Sequence, residues 1–359
     1  MSPSGIKTYF KMNNFFEFEE LFFNNKDENN FNFSQKKKEN WDDFLNQQNN
    51  VPVFYSHYFN VFQNEILKGK NSDIKDLSFE ILWNNKLIGI FPITLIKGTD
   101  NIGIPGVFGH LLPVLYEENL PLSIISQIDS LLIKKLIQFS ENLGNIKLSF
   151  LDQITPKFSL TNWHKLLLKN SFNCNIQRES FVDLSWDYSE IKKNYRKSHK
   201  SRISQGERLW NLIKLTENHE RIWNEFKSLH YKSAGRKTRS DKSWDILYES
   251  LINNCSSFYY CTNENEEMIG GALIMLTSTE AFYAIGANDR SLFKLPIGHA
   301  LQDFIIKDLK NSSSIKWYRL GRFYNSNDFI KPTEKEITIG SFKNGFATHL
   351  ITNFIFNRN

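Results

Sequence analysis

The chain has 359 residues, 40% hydrophobic and 23% charged, and its 31 Phe and eight Trp exclude a fully disordered chain. That length suits two domains with sizeable cores, and a net charge of +5, from 44 Lys and Arg against 39 Asp and Glu, is too mild to mark a nucleic-acid binder by itself. No apolar run approaches the ~18 residues of a membrane span, the N-terminus lacks a signal-peptide core, and Cys174, Cys255 and Cys261 show neither metal-ligand spacing nor the even count of a disulfide framework, so a cytoplasmic location is expected.

In chain order, residues 1–40 read as an irregular segment rich in Asn and Phe, with Lys36, Lys37 and Lys38 as a solvated charge run. Regular structure is expected from about Trp41. Leu77–Trp83 predicts a strand, Asn84-Asn85-Lys86 a polar turn, and Leu87–Ile96 a second apolar strand. A Gly/Pro-rich loop, Ile102–Pro113, follows. After Pro121, the apolar residues Ile124, Ile128, Leu131, Leu132, Leu136 and Phe139 share one helical face, and Gly144 is the expected stop. Ile146–Phe150 predicts another strand.

The second half repeats that order. Ser257–Cys261 predicts a strand, Asn263–Glu267 a turn, and Met268–Thr277 and Glu280–Gly286 two further strands. Asn288–Pro296 is a loop. A helix then places Ile297, Ala300, Leu301, Phe304, Ile305 and Leu309 on one face, and Ile315–Leu320 predicts the closing strand. Two copies of one α/β unit account for the recurrence. The expected domains are 41–178 and 179–359, the second beginning with a basic entry segment.

That entry segment is the most unusual stretch. After the strand Phe181–Leu184, EIKKNYRKSHKSRISQGERLW carries Lys192, Lys193, Arg196, Lys197, Lys200, Arg202 and Arg208 against the single nearby acid Glu207. Helical spacing places Arg196 and Lys200 on one face with His199 and Arg202 close by, a face that attracts phosphate or carboxylate. A second cluster, FKSLHYKSAGRKTRSDKSW, sets His230, Arg236, Lys237 and Arg239 around a glycine and several hydroxyls. Fork-shaped donors in such a loop fit an anionic substrate. A cleft between the two units is the expected place for it.

With these stretches in view, the sequence resembles the FemAB-like branch of the GNAT acyltransferase superfamily, in which two GNAT-like domains are fused. The resemblance rests on NYRKSHKSRISQGER, LHYKSAGRKTRSDKSW, GGALIM, FYAIGAN, LPIGHALQDFIIKDLK, WYRLGRF and the late FKNGFATHL, with WDDFLNQQNNVPVFYSHYF and IPGVFGHLLPVL in the first half. It spans roughly residues 41–350 and implies an α/β fold of two tandem GNAT-like domains, mixed sheets flanked by helices. It also implies acyl or aminoacyl transfer to an amine, in cell envelope biogenesis. The sequence departs from CoA-using GNAT domains in one place: the loop Asn288–Gly298 holds only Gly298 where a glycine-rich turn would hold pyrophosphate. The heptad arm of several Fem proteins is not evident either.

Amide formation needs a neutral, aligned amine, a donor for the developing oxyanion and a group that takes a proton. His299, at a helix start, and Tyr283 are the catalytic candidates. His199, Lys200, Arg202, His230, Arg236, Arg239 and, by the resemblance, Lys343 are the substrate-binding candidates. Asp303, one turn after His299, reads as an orienting partner for it or, in preference, as a solvent-facing carboxylate. Cys255 and Cys261 read as inert thiols in or beside an apolar strand. The scattered histidines give no zinc site, and no Walker A or Rossmann pattern occurs. The expected function is an N-acyltransferase acting on a sugar nucleotide or other surface-glycan precursor. An aminoacyl-tRNA-dependent ligase and a non-catalytic anion-binding module are the alternatives. The co-substrate is acyl-CoA or an aminoacyl-tRNA, left open, with no metal. The expected partners are an anionic, nucleotide-linked small molecule or tRNA.

Overall fold

The computed structural model describes residues 18–23, 31–68, 73–97, 102–151, 161–217, 220–312 and 314–358. In chain order the elements are β1 (Phe31–Gln35), α1 (Lys38–Asn46), a 3-10 turn at Val53–Tyr55, α2 (His57–Lys68), β2 (Asp73–Asp76), β3 (Phe79–Trp83) and β4 (Lys86–Phe91). Next come β5 (Thr94–Lys97), β6 (Ile102–Gly103), β7 (Leu115–Tyr116), α3 (Leu122–Asn142), β8 (Leu148–Leu151) and α4 (Asn162–Lys169). The second half holds β9 (Asn173–Asp183), α5 (Tyr188–Asn194), α6 (Lys197–Leu209), β10 (Asn211–Lys214), α7 (Glu220–Ala234), α8 (Asp241–Ile252), β11 (Ser256–Thr262), β12 (Met268–Leu276) and β13 (Glu280–Asn288). It ends with α9 (Ile297–Asn311), β14 (Trp317–Phe323), α10 (Glu334–Asn344) and β15 (His349–Arg358).

The chain forms two compact units that are not continuous stretches. One comprises Met1–Gln48, Lys70–Asn175 and Phe354–Asn359, and the other Asn49–Gly69 and Ile176–Asn353. The expected bounds, 41–178 and 179–359, miss two exchanges of chain. Val53, Phe54, Tyr55 and Phe59 are buried, and they satisfy that burial in the second unit. Phe54 meets Phe282 at 5.3 Å, and the Val53 amide donates to Glu280 at 3.1 Å. The segment 1–40 is not wholly irregular: residues 18–22 are helical and β1 is a paired strand, while 1–17 and 24–30 lie outside the described residues.

In the first unit the strands run β1-β3-β4-β7, all antiparallel, with β2-β5-β6 as a separate small sheet. The predicted single strand over 87–96 breaks at Pro92, which has no amide to give a ladder, and its second half becomes β5. Ile128, Leu132, Leu136 and Phe139, spaced by one or two helical turns, bury one stripe of α3 in the core with Phe79, Phe91 and Phe150.

The second unit repeats the sequence of elements on a larger scale. Its sheet runs β10-β11-β12-β13-β14-β9-β15, with β13 and β14 parallel and their neighbours antiparallel where paired. The order β10-β11-β12-β13 matches β1-β3-β4-β7, and α9–β14 matches α3–β8. In the first unit the parallel pairing shrinks to the single bridge Leu111 to Phe150. Successive residues of a strand face opposite sides, so Phe258 and Leu273 join α7 and α8 on one face, while Tyr259, Ala272 and Ile274 join α9 on the other.

One buried charge fixes the middle of this sheet. Arg319 of β14 is fully buried, ion-paired with Glu179 of β9 and, at 3.2 Å, with Glu280 of β13, and its guanidinium lies over the rings of Phe54 and Phe181 at 4.5 and 4.7 Å. The Asn353 amide donates to Glu179 at 2.8 Å. Replacing Arg319 with Ala leaves two buried carboxylates without their cation, and urea unfolding is expected to show a loss of about 3–5 kcal/mol. A loss under ~1 kcal/mol would mean that the ion pairs do not hold the three strands together.

Candidate active site

The parallel pair β13 and β14 stays in register only over Glu280–Phe282 and Trp317–Arg319, and then the strands part. Both carry an irregularity where they separate. In β13 the register skips Ala284, and in β14 it skips Leu320. Such bulges re-aim side chains and end pairing next to functional sites, and the carboxyl end of parallel strands is the usual place for a ligand crevice in α/β sheets.

Three side chains meet at this parting. Tyr283 follows the last paired residue of β13, and its phenol lies over Gly286, a position where any Cβ would collide with the hydroxyl. Lys343, from the last turn of α10, holds its ammonium 4.2 Å from the centre of the Tyr283 ring. Gly321 of β14 faces the same ammonium, with a φ of +104° that side-chain-bearing residues avoid and a Cβ position 3.7 Å from Lys343 Nζ. Helix α10 is set by a Thr333–Glu336 capping box at its start and packs on β14.

The electrostatics are unusual. Burial pushes the Lys343 amine down to about 8, with the Glu179 carboxylate pulling the other way. Burial alone pushes the Tyr283 phenol up to about 12, so it stays protonated at neutral pH. The site therefore holds a lysine poised to exchange a proton near neutrality beside a phenol that keeps its own.

His199 and His299 lie one step further along α10. Their rings meet edge to face at 4.7 Å, and both pack on Phe342, at 5.5 and 5.0 Å. Phe342 also covers Gly298 in the first turn of α9, 3.2 Å from where a Cβ would stand. Gly345 is required next to them, because any Cβ there would strike the His199 ring. Burial is the largest cause lowering each histidine to about 4, helped for His199 by His299 and for His299 by Arg202. Both are neutral at pH 7. Asp303 does not orient His299. It is fully buried rather than solvent-facing, accepting from Tyr188 at 2.7 Å and pairing with Lys307 at 2.9 Å.

Among the expected residues, His199, His299, Tyr283 and Lys343 thus converge around Phe342 and the parting strands. The basic entry segment does not form a single anion-binding face. Arg196 caps α6 and donates to the Ser341 carbonyl at 2.9 Å, Lys200 turns to the Lys193 carbonyl at 3.1 Å, and Arg202 reaches the Lys294 carbonyl at 2.8 Å. A bend at Tyr195–Arg196 splits the expected helix into α5 and α6.

The second basic cluster lies on the other face of the sheet, with Trp244 and Phe62. The Arg239 guanidinium is held 5.0 Å from the Trp244 ring and 5.7 Å from the Phe62 ring, and its buried Nη1 has no hydrogen-bond partner. His230, on α7 rather than in a loop, stacks edge to face on Trp244 at 5.2 Å. Burial lowers Arg239 to about 10 and, with Arg239 beside it, His230 to about 4. Arg236 is exposed. Cys261 is buried, its thiol pushed up to about 12. Among the described residues, no group of three His, Cys, Asp or Glu could hold a metal ion, and no helix is long and apolar enough to cross a membrane.

The sequence reading missed Arg319, Glu179 and Glu280. Arg319 inside the otherwise uncharged run Trp317–Leu320 was the available signal, since a charge in a buried strand needs a partner.

No protein-family model matches the sequence, and no curated protein matches it. Solved structures do match. FemX aligns with a TM-score of 0.64 at 11% identity, over 90% of this chain and 96% of FemX. L-PGS from Bacillus licheniformis aligns with a TM-score of 0.52 at 14% identity, over 75% of this chain and 84% of that one. At such identities the likeness carries the fold. The chain shares the fold of FemX, built here of two α/β units.

Gly321→Ala tests the parting of the strands. The forced left-handed φ is expected to destabilise the protein by about 1–3 kcal/mol, read by urea unfolding. Unchanged stability would show that the backbone there relaxes freely. The two histidines give a second expectation. Their unfolded value is near 6.5 and their folded value about 4, so the unfolded chain takes up more protons in between. Stability should fall as pH drops from about 6.5 towards 4, and His199→Phe should flatten that fall.

Proposed function

We propose that this chain is an N-acyltransferase that moves an acyl or aminoacyl group from an activated carrier to a primary amine, the amine belonging to a sugar nucleotide or another surface-glycan precursor. The single observation that carries the reading is the pairing of Lys343 with Tyr283 where β13 and β14 part. A fold shared with FemX supports it.

The chemistry follows from the two side chains. The amine nitrogen attacks the carbonyl carbon of the donor, and negative charge gathers on the carbonyl oxygen. The Tyr283 hydroxyl, which keeps its proton, is the donor we assign to that oxygen. Lys343 in its neutral form takes the proton released by the attacking nitrogen, and it returns that proton to the departing carrier as the carbon–carrier bond breaks. In this reading Lys343 takes the role of base first expected of His299. His299, wedged among His199, Phe342 and Phe346, positions the first turn of α9 against α10.

A second reading, an aminoacyl-tRNA as donor, is favoured by the first turn of α9. Gly298 is the only glycine of that loop, and Phe342 packs on it, which leaves no glycine-rich cradle for the pyrophosphate of a CoA.

The test is a turnover assay with amino-sugar nucleotides as acceptors, run separately with acetyl-CoA and with charged tRNA, and read by product mass. Turnover with one donor identifies the carrier. No turnover with either, while anions still bind, would overturn the transferase reading in favour of a binding module. With an active donor, kcat/KM should rise with pH through about 8, as the Lys343 ammonium loses its proton. Lys343→Met should lower kcat/KM by about 100-fold or more and remove that rise. An unchanged pH profile in the variant would exclude Lys343 as the base.

A further inference from the structure

The second unit also carries an apolar patch bordered by cations that, among the described residues, have no carboxylate partner. Phe293, just after the 3-10 turn Arg290–Leu292, is 81% exposed. Leu295 in the same loop is 38% exposed, and Leu209, at the end of α6, is 45% exposed. The loop and the helix end are held side by side. The Arg202 guanidinium of α6 donates to the Lys294 carbonyl at 2.8 Å, and Gly206 lies directly against Pro296, where a Cβ would come 2.8 Å from the Pro296 oxygen. Leu292 and Trp210 pack together with Ile297 just beneath.

The charges around this patch have one sign. Arg202, Arg208, Arg290 and Lys294 are exposed, and among the described residues none has a carboxylate partner. The neighbouring acids are already neutralised, Glu207 by Lys307 at 2.7 Å and Asp289 by Lys232 at 2.8 Å. Isolated apolar residues on a surface are ordinary, but a group of large ones rimmed by cations marks an interaction site.

We propose that this edge docks on an anionic lipid bilayer. Phe293, Leu295 and Leu209 enter the headgroup boundary while the ring of Arg and Lys meets lipid phosphates, the two-part arrangement that holds peripheral proteins to membranes. A single-stranded nucleic acid would use the same cations, but it is gripped by aromatic rings that stack on bases, and two of the three exposed apolar residues are aliphatic. The loop that carries Phe293 leads directly into the first turn of α9, so docking would set the transfer site beside the lipid surface. The inference does not depend on the proposed reaction.

Flotation of the full chain with unilamellar vesicles tests it. The protein should float with vesicles of phosphatidylcholine mixed with phosphatidylglycerol, should not float with phosphatidylcholine alone, and should be released by high salt. Phe293→Ala should weaken flotation about tenfold, and the double variant R290E/K294E should abolish it, with thermal melting unchanged in both because the residues are exposed. Absence of flotation with the anionic vesicles would overturn the proposal, as would undiminished flotation of Phe293→Ala. Binding of tRNA that R290E/K294E removes and Phe293→Ala leaves intact, without vesicle binding, would assign the patch to RNA instead.

Discussion

Arg319 is a full positive charge in a protein interior, and the second unit is arranged around the need to compensate it. A cation cannot be buried without partners, so β9 must bring Glu179 and β13 must bring Glu280 to the same depth of the sheet. The Val53 amide and the Asn353 side chain complete the coordination of those carboxylates. The guanidinium also lies over the rings of Phe54 and Phe181. Three strands, the 53–55 turn and the middle of β15 are therefore tied to one point.

That point stands at the last paired residues of β13 and β14. Holding the strands together up to Phe282 and Arg319 allows them to diverge immediately afterwards, each through its own bulge. The divergence leaves backbone without a neighbouring strand at the place where Tyr283, Gly321 and Lys343 meet. Glu179 links the two features physically. Its carboxylate pairs with Arg319 and also acts on Lys343, moderating the effect of burial on the amine. Stability and the proposed chemistry thus share one buried acid.

The packing of α10 explains why the late Phe342–Phe346 stretch matters out of proportion to its length. Phe342 covers the first turn of α9 and touches both histidines, Lys343 reaches the parting strands, Gly345 leaves room for the His199 ring, and Phe346 packs against that ring at 4.6 Å. The last turn of α10 and the two residues after it therefore connect α6, α9 and β13.

Local pattern in the sequence determined much of this. The apolar stripes of α3 and α9, the Asn-rich and Glu-rich turns between paired strands, and the repetition of those elements in both halves follow from periods of 3.6 and 2 and from residues that tolerate turns, and these act over a few neighbours along the chain. His199, His299 and Tyr283 were legible as chemistry-bearing side chains from their neighbours along the chain, and Lys343 from the family resemblance alone. What the sequence could not decide was distance between residues far apart in the chain. Only the tertiary structure brought Lys343 to Tyr283, sent Arg202 and Lys200 in different directions, put Arg239 on the opposite face from Tyr283, buried Asp303, and moved residues 49–69 into the second unit. Each outcome depends on which distant group satisfies a buried charge or an apolar face, and that choice is made by the free energy of the whole packed unit rather than by any local run of residues.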